Sequence, residues 1–296
     1  MTSLKPKLGT RQLFIVFGLG IPLVVYCLFV VGPTLSIFLE SLFRWNGLSP
    51  NKKFVGLKNY TDLFGNPMFL SAISHTVFLL LVSTAVTMGI AIFFAVTLVQ
   101  SRLPERGIFR VMFFFPNVLS VVVIGIIFRY VYAPNTGILN SALEAFGIEG
   151  PIWLGDARTV LWAISGAMVW QAMGYYMLIY MAGLDDIPPS LYEAADLDGA
   201  SKFRQFIHIT IPMLWDIIRV TLVFYIISSL NLSFTFVRIM TDAGPNKASE
   251  VLLTFMYDQA FENGNFGYAM AAAFVIFVLS FGLALLSDKL TERKDF

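Results

Sequence analysis

The chain has 296 residues, of which 57% are hydrophobic and only 13% charged, with a formal net charge of +1 and a mean hydropathy of +0.75. A water-soluble domain carries about 25% charged residues, so this composition excludes a soluble globular protein, and no nucleic-acid partner is expected. The single cysteine, Cys27, leaves no intramolecular disulfide possible.

The apolar residues lie in long runs. Leu13–Leu39, Thr76–Val99, Thr159–Leu184 and Asn263–Ser287 contain no Asp, Glu, Lys or Arg, and two shorter runs, Val111–Phe128 and Val220–Val237, are fenced by arginines. A helix needs about 20 apolar residues to cross the hydrocarbon core. The runs therefore predict an all-α polytopic membrane protein with six spans, near 13–39, 74–99, 109–132, 159–183, 214–238 and 264–287, forming one membrane domain over 1–296. The first run follows Lys5, Lys7 and Arg11, as a secretory leader would. At 27 residues it exceeds the 7–15 apolar residues of such a leader, and the Glu40-Ser-Leu-Phe43 that follows is no cleavage site, so it reads as a permanent anchor.

Six spans put both termini on one side. Twelve of the 20 Lys and Arg, including Lys5, Lys7, Arg102, Arg293 and Lys294, fall on that side, against eight in the longer opposite loops. Basic residues favour the cytoplasmic face, so an N-in, C-in chain in a bacterial or archaeal cytoplasmic membrane is expected. The outer loops are then 40–72, 133–158 and 239–262. The first contains Phe54–Phe64, a short amphipathic helix for the interface with Trp45, Tyr60 and Phe64 as anchors. The last contains the turn cluster Thr241-Asp-Ala-Gly-Pro245.

Between the fourth and fifth spans lies a polar segment, 185–212. Pro188 and Pro189 end the preceding helix. Ser190 and Glu193 have the spacing of a capping box for a short helix, Leu191–Leu197. Gly199 suits the left-handed residue beyond its end. Ser201 then caps a second short helix, Phe203–Ile207, and Pro212 closes the unit. From spacing alone this is either an interfacial helix pair or a stiff element for insertion into another protein.

The residues Glu193-Ala-Ala-Asp-Leu-Asp-Gly-Ala200, followed by Phe203, Ile209 and Pro212, resemble the EAA loop of ATP-binding-cassette importer permeases. The likeness extends to Gly56-Leu-Lys-Asn-Tyr60, Phe115-Pro-Asn117, Gly137-Ile-Leu-Asn140, Ala182-Gly-Leu184 and Thr241–Pro245, which are similar to the carbohydrate-uptake branch and within it to the maltose- and glycerol-phosphate-type first permease. Ala243 departs from that pattern, which more often has Gly. The resemblance implies the type I importer permease fold. It also implies a second, different permease subunit, two ATPase subunits that carry the ATP and Mg, and an extracytoplasmic solute-binding protein. Glu193, Ala194, Ala195, Asp198 and Gly199 would be the ATPase-coupling residues, and no cofactor would be held by this chain.

No Gly is followed by Lys, so the phosphate-binding Gly-x-x-x-x-Gly-Lys-Ser/Thr loop is missing. His75, His208 and Cys27 have no metal-ligand spacing. The uncharged runs carry no mid-span carboxylate, which counsels against an ATP-independent secondary carrier; an importer permease for another small polar solute is the nearer alternative. A sugar site wants amide and hydroxyl partners beside aromatic rings. The fourth span offers Trp170, Gln171, Tyr175 and Tyr176, and the fifth offers Tyr225, Ser228, Ser229, Asn231 and Ser233. Tyr225, Ser228, Ser229 and Leu232 share one helical face. The resemblance singles out Tyr175, Tyr225 and Ser229 as sugar contacts, with Ser228, Asn231 and Ser233 beside them.

Overall fold

A computed structural model describes residues 10–100 and 105–291; Lys5, Lys7, Arg102, Arg293 and Lys294 of the basic set lie outside the described residues. The fold is helical, with one two-stranded ladder. In chain order the elements are α1 Thr10–Tyr26, α2 Gly32–Ser41, β1 Phe43–Arg44, β2 Lys53–Phe54, α3 Lys58–Phe64, α4 Pro67–Gln100, α5 Arg106–Val118, α6 Val121–Val131, α7 Ile138–Ala145, α8 Val160–Asp185, α9 Pro189–Leu197, α10 Lys202–Gln205, α11 Ile211–Met240, α12 Leu252–Tyr257 and α13 Phe266–Thr291. Two compact units result, one of Met1–Gly65 with Met256–Val275, the other of Asn66–Phe255 with Ile276–Phe296.

In the first unit α1 and α2 are joined by a single π turn, Cys27–Val31, where the Gly32 amide reaches back to the Cys27 carbonyl. The extra residue of a π turn relieves the next position, Pro33, which has no donor to give. Side chains along this rod are exposed, as in Leu19, Leu23 and Phe29, which is what a lipid-facing helix requires. The β1–β2 ladder pairs Phe43 with Phe54. Buried Asn59 ties α3 to it by donating to the Ser41 and Phe43 carbonyls at 2.7 and 2.9 Å. The Tyr60 hydroxyl meets Ser41 at 2.6 Å and its ring meets Phe274 edge-on. Tyr60 is thus a packing residue, whereas Phe64 is exposed as an interfacial anchor would be.

The second unit is built around α8. Its first half, Val160 to Met168, packs with Leu79, Ile124, Phe236 and Val237; its second half, Ala172 to Leu184, packs with Met88, Ala91, Ala95, Leu214 and Ile218. Small residues permit close approach, as is usual between helices in lipid. A Cβ on Gly183 would stand 2.3 Å from Ile217 Cδ1, and one on Gly174 would stand 1.8 Å from the Phe113 carbonyl oxygen. The Tyr180 hydroxyl joins Thr221 Oγ1 and Met88 Sδ, both at 2.8 Å, linking α8 to α11 and α4.

Two sequence expectations need correction. The third run is not one straight helix, because α5 and α6 meet at 101°. Pro116 removes a donor from the last turn of α5, and Leu119 and Ser120 are extended at ψ 149° and 134°. The fourth run, α8, has 26 residues and reaches about 39 Å at 1.5 Å per residue, long enough for a bilayer, with Trp, Tyr and Gln set among its apolar residues. Four helices among the described residues are long and apolar enough to cross a bilayer by themselves, five with the bent pair. Finally, Pro212 closes nothing. A π turn, Phe206–Thr210, joins α10 to α11, and Lys202–Met240 is one helical rod of 39 residues. The Ile211 amide bonds the Phe206 carbonyl, and Pro212 then occupies an early position where no donor is required.

The turn after α11 accounts for Ala243. Asp242 and Ala243 have φ of 48° and 65°, and Ala243 is fully buried. That left-handed conformation costs a non-glycine residue about 1–2 kcal/mol, which is the physical reason for Gly at such a position. Here the turn is clamped by Ser249, whose hydroxyl donates to the Gly244 carbonyl at 2.6 Å and meets Thr241 at 2.8 Å.

Candidate functional site

Two features of the second unit gather the polar residues, a short exposed helix and a cleft beside α8. The helix is α9. Its start is simpler than the expected capping box: Pro188, extended at ψ 126°, is the N-cap, Pro189 is the first helical residue, and no side chain caps it. Proline at that position removes a donor that had no partner anyway, so Ser190, two residues past the N-cap, sits too deep to cap. The far end is as expected. Gly199 has φ +72°, its amide bonds the Asp196 carbonyl, and the Ala200 amide bonds that of Ala195 at 2.9 Å. These two bonds make a Schellman stop.

The next helix begins on Ser201, whose hydroxyl accepts from the Arg204 amide. Asp196 joins the two halves, accepting from Lys202 Nζ at 2.9 Å and from Gln205 Nε2. These bonds from Lys202 and Gln205 hold the Asp196 carboxyl below the usual carboxylate range. On the inner side the Tyr192 hydroxyl meets Thr210 Oγ1 at 3.0 Å, and Arg106 grips Asp185 with two bonds of 2.7 and 3.0 Å. Glu193, Ala194, Asp198 and Gly199 are exposed, and Ala195 is half-buried. Leu197 and Phe203, at 90% and 75% exposure, stand out beside them. Apolar side chains so exposed on a braced element are what a protein contact uses.

The cleft, of about 400 Å³, lies between α8, α11 and the break that follows α5. Tyr175, Tyr176 and Tyr225 form one aromatic wall, with successive rings edge to face at 5.1 and 5.3 Å. Such pairs hold their rings in fixed orientation. Gln171, Asn231 and Asn117 bring amides to the other surfaces, and Ser228 and Thr235 bring hydroxyls. Asn117 reaches the cleft because Gly174 lets the Phe113 backbone lie directly against α8.

Of the six pathway residues expected from sequence, Tyr175, Tyr225, Ser228 and Asn231 line this cleft. Tyr225 does so with its ring, since it is fully buried and its hydroxyl accepts from Thr87 at 3.2 Å. Ser229 and Ser233 are not brought there. Both are buried, and their hydroxyls donate to the Ile226 and Leu230 carbonyls of their own helix at 2.9 and 2.7 Å. Back-bonding of this kind satisfies a helical hydroxyl locally; Ser228 donates likewise to the Phe224 carbonyl at 2.8 Å, and it is exposure that separates it from the other two. Among the described residues, the buried carboxylates Glu250 and Asp258 belong to the segment between α11 and α13 and not to a long apolar helix.

Residues 88–295 match the family described as the binding-protein-dependent transport system inner membrane component. The chain belongs to this family. It is therefore a multi-pass membrane component of a transport system, not an enzyme. This permease is 38% identical over 273 residues to the probable ABC transporter permease protein YurN of Bacillus subtilis, covering 91% of this chain and 93% of that one. It is 32% identical to the diacetylchitobiose uptake system permease protein NgcF of Streptomyces coelicolor, covering 93% and 81%. With the arabinooligosaccharides transport system permease protein AraP of Bacillus subtilis it shares 30% identity, over 90% and 84%. A chain of a bacterial ABC transporter involved in the import of the acidic polysaccharide alginate superposes with a TM-score of 0.81 at 20% identity, over 97% of this chain and 98% of that one. The permease thus has the type I importer permease fold.

Two lining residues of the permease, Asn117 and Thr235, escape a reading of the spans alone. The signal for Asn117 was present in the Pro116-Asn117 pair, since a proline near a helix end announces a break and a polar residue beside it has backbone and side chain to offer. Thr235 is seven residues beyond Ser228 on the same helical face, so the stripe carried on by one more turn reaches it.

Proposed function

We propose that the chain is the membrane-spanning permease of an ATP-driven, binding-protein-dependent importer of a sugar or oligosaccharide. The observation that carries this reading is the cleft beside α8, where amides, hydroxyls and tyrosine rings converge on one chain with the exposed α9 helix. Relatives at 30–32% identity are named for saccharide uptake, which supports a saccharide here. A sugar presents hydroxyls that both donate and accept and a face of C–H groups, and amides beside aromatic rings answer both.

In this reading the chain crosses the membrane six times as a single domain, with the α5–α6 pair as the third crossing and α8 as the fourth, and both termini in the cytoplasm. It pairs with a second permease to complete the pathway. Two ATPase subunits receive α9, with Glu193, Ala194, Ala195, Asp198 and Gly199 at the contact and Leu197 and Phe203 beside them, and ATP and Mg are held on those subunits. An external binding protein delivers the solute. Closure of the ATPases pushes α9, and the push reaches the cleft along one connected route, since α9 is tied to α10 through Asp196 and α10 continues as one rod into α11.

The test is ATP hydrolysis by the reconstituted complex with its binding protein. A saccharide should stimulate hydrolysis, and replacing Asp198 or Glu193 should lower it without loss of membrane insertion. Uptake that persists after the ATPase subunits are omitted would refute the reading.

A further inference from the structure

We infer that the solute taken by this subunit's cleft is uncharged, a neutral saccharide rather than a uronate, a phosphorylated sugar or a free amino sugar. The inference rests on the proposed function and narrows its substrate class. The fold leaves the question open, because an importer chain of the same fold serves an acidic polysaccharide. The lining decides it.

None of the described residues around the cleft is Asp, Glu, Lys, Arg or His. Its polar groups are the amides of Asn117, Gln171 and Asn231, the hydroxyls of Ser228 and Thr235, and the phenol of Tyr175. The amides and the Tyr175 phenol can both donate and accept a hydrogen bond, while the Ser228 and Thr235 hydroxyls, which donate to carbonyls of their own helix, offer an acceptor. A sugar hydroxyl both donates and accepts, so it can answer either kind of partner. A carboxylate or phosphate can only accept. Against it the amide oxygens are misdirected, and no cation balances the charge it brings out of water. Hydrogen bonds to a buried anion are strong when a guanidinium or ammonium supplies them, and the desolvation of an unpaired charge is otherwise a net cost. A cationic amino sugar meets the mirror problem, with tyrosine rings nearby but no carboxylate.

The experiment reads occupancy of the cleft directly, apart from any choice made by the binding protein. In the assembled complex, with Cys27→Ala to remove the native thiol, Asn231→Cys supplies a single thiol on an exposed lining position. Its reaction with a neutral maleimide is timed with matched-length neutral, uronate and amino-sugar disaccharides. Neutral saccharides should protect at concentrations about ten-fold lower than either charged series, since a tenfold ratio corresponds to about 1.4 kcal/mol. Equal or better protection by a charged series overturns this inference while leaving the sugar importer intact. Protection by no saccharide of any kind overturns the sugar reading itself. As a second variant, Asn231→Arg should move the preference of solute-stimulated ATP hydrolysis toward uronates. An unchanged preference would mean that this lining does not set charge selection, and the inference would fall.

Discussion

Gly174→Ala is the sharpest mechanical test of how the cleft is assembled. A Cβ there would lie 1.8 Å from the Phe113 oxygen, 2.4 Å from its carbonyl carbon and 2.8 Å from the Phe114 nitrogen. Ordinary contact begins near 3.4 Å, so α5 and α8 must separate by roughly 1.5 Å. All three neighbours are backbone atoms, and no rotamer change relieves them. Overpacking a tight interface costs about 1–3 kcal/mol, occasionally more, and a backbone clash should reach the upper end. The same displacement carries Asn117 away from Tyr175 and opens the cleft. The control is Gly89→Ala on α4, where a Cβ meets nothing within 4 Å and helix propensity gains up to about 1 kcal/mol. Thermal unfolding of the purified complex and solute uptake should both fall for Gly174→Ala and hold for Gly89→Ala. Equal stability and uptake in the two variants would refute the packing argument.

Further outcomes follow from the same geometry. Gly199→Ala places no atom in contact with anything but forces alanine to φ +72°, at about 1–2 kcal/mol; Gly199→Asn should retain more solute-stimulated ATP hydrolysis than Gly199→Ala, and the reverse order would contradict the role of backbone conformation. Tyr175→Ala should lower uptake several-fold with basal ATP hydrolysis unchanged, while Ser229→Ala, which deletes only a back-bonded hydroxyl, should leave uptake within about two-fold; equal losses would show that the cleft is wrongly drawn. For Asp196 the folded carboxyl titrates below its ordinary value, so its brace on α10 is complete above that ordinary value and is lost as pH falls through the lowered one. Hydrogen exchange across α9 and α10 should therefore be insensitive to this group near neutrality and rise only in acid, and Asp196→Asn should remove the acid dependence. A rise centred near pH 7 would assign it to another group.

The chain by itself determined the solvent and the all-helical class. Composition and charge-free runs need only local chemistry, since a hydrocarbon environment requires every backbone donor to be satisfied within a helix. Gly199 was legible for the same reason, because a glycine after a short polar helix has a local conformational purpose. Tertiary structure decided what depends on neighbours. Ser228 and Ser229 are adjacent in sequence, equally polar and both bonded to carbonyls of their own helix, yet one is exposed to the cleft and the other is buried. No periodicity separates them, because the helix rotation that distinguishes them is set by packing against α4 and α8. Pro212 looked like a terminator and is not one, since a π turn upstream absorbs it. Asn117 belongs to the cleft only because a missing side chain at Gly174, 57 positions away, lets two backbones touch.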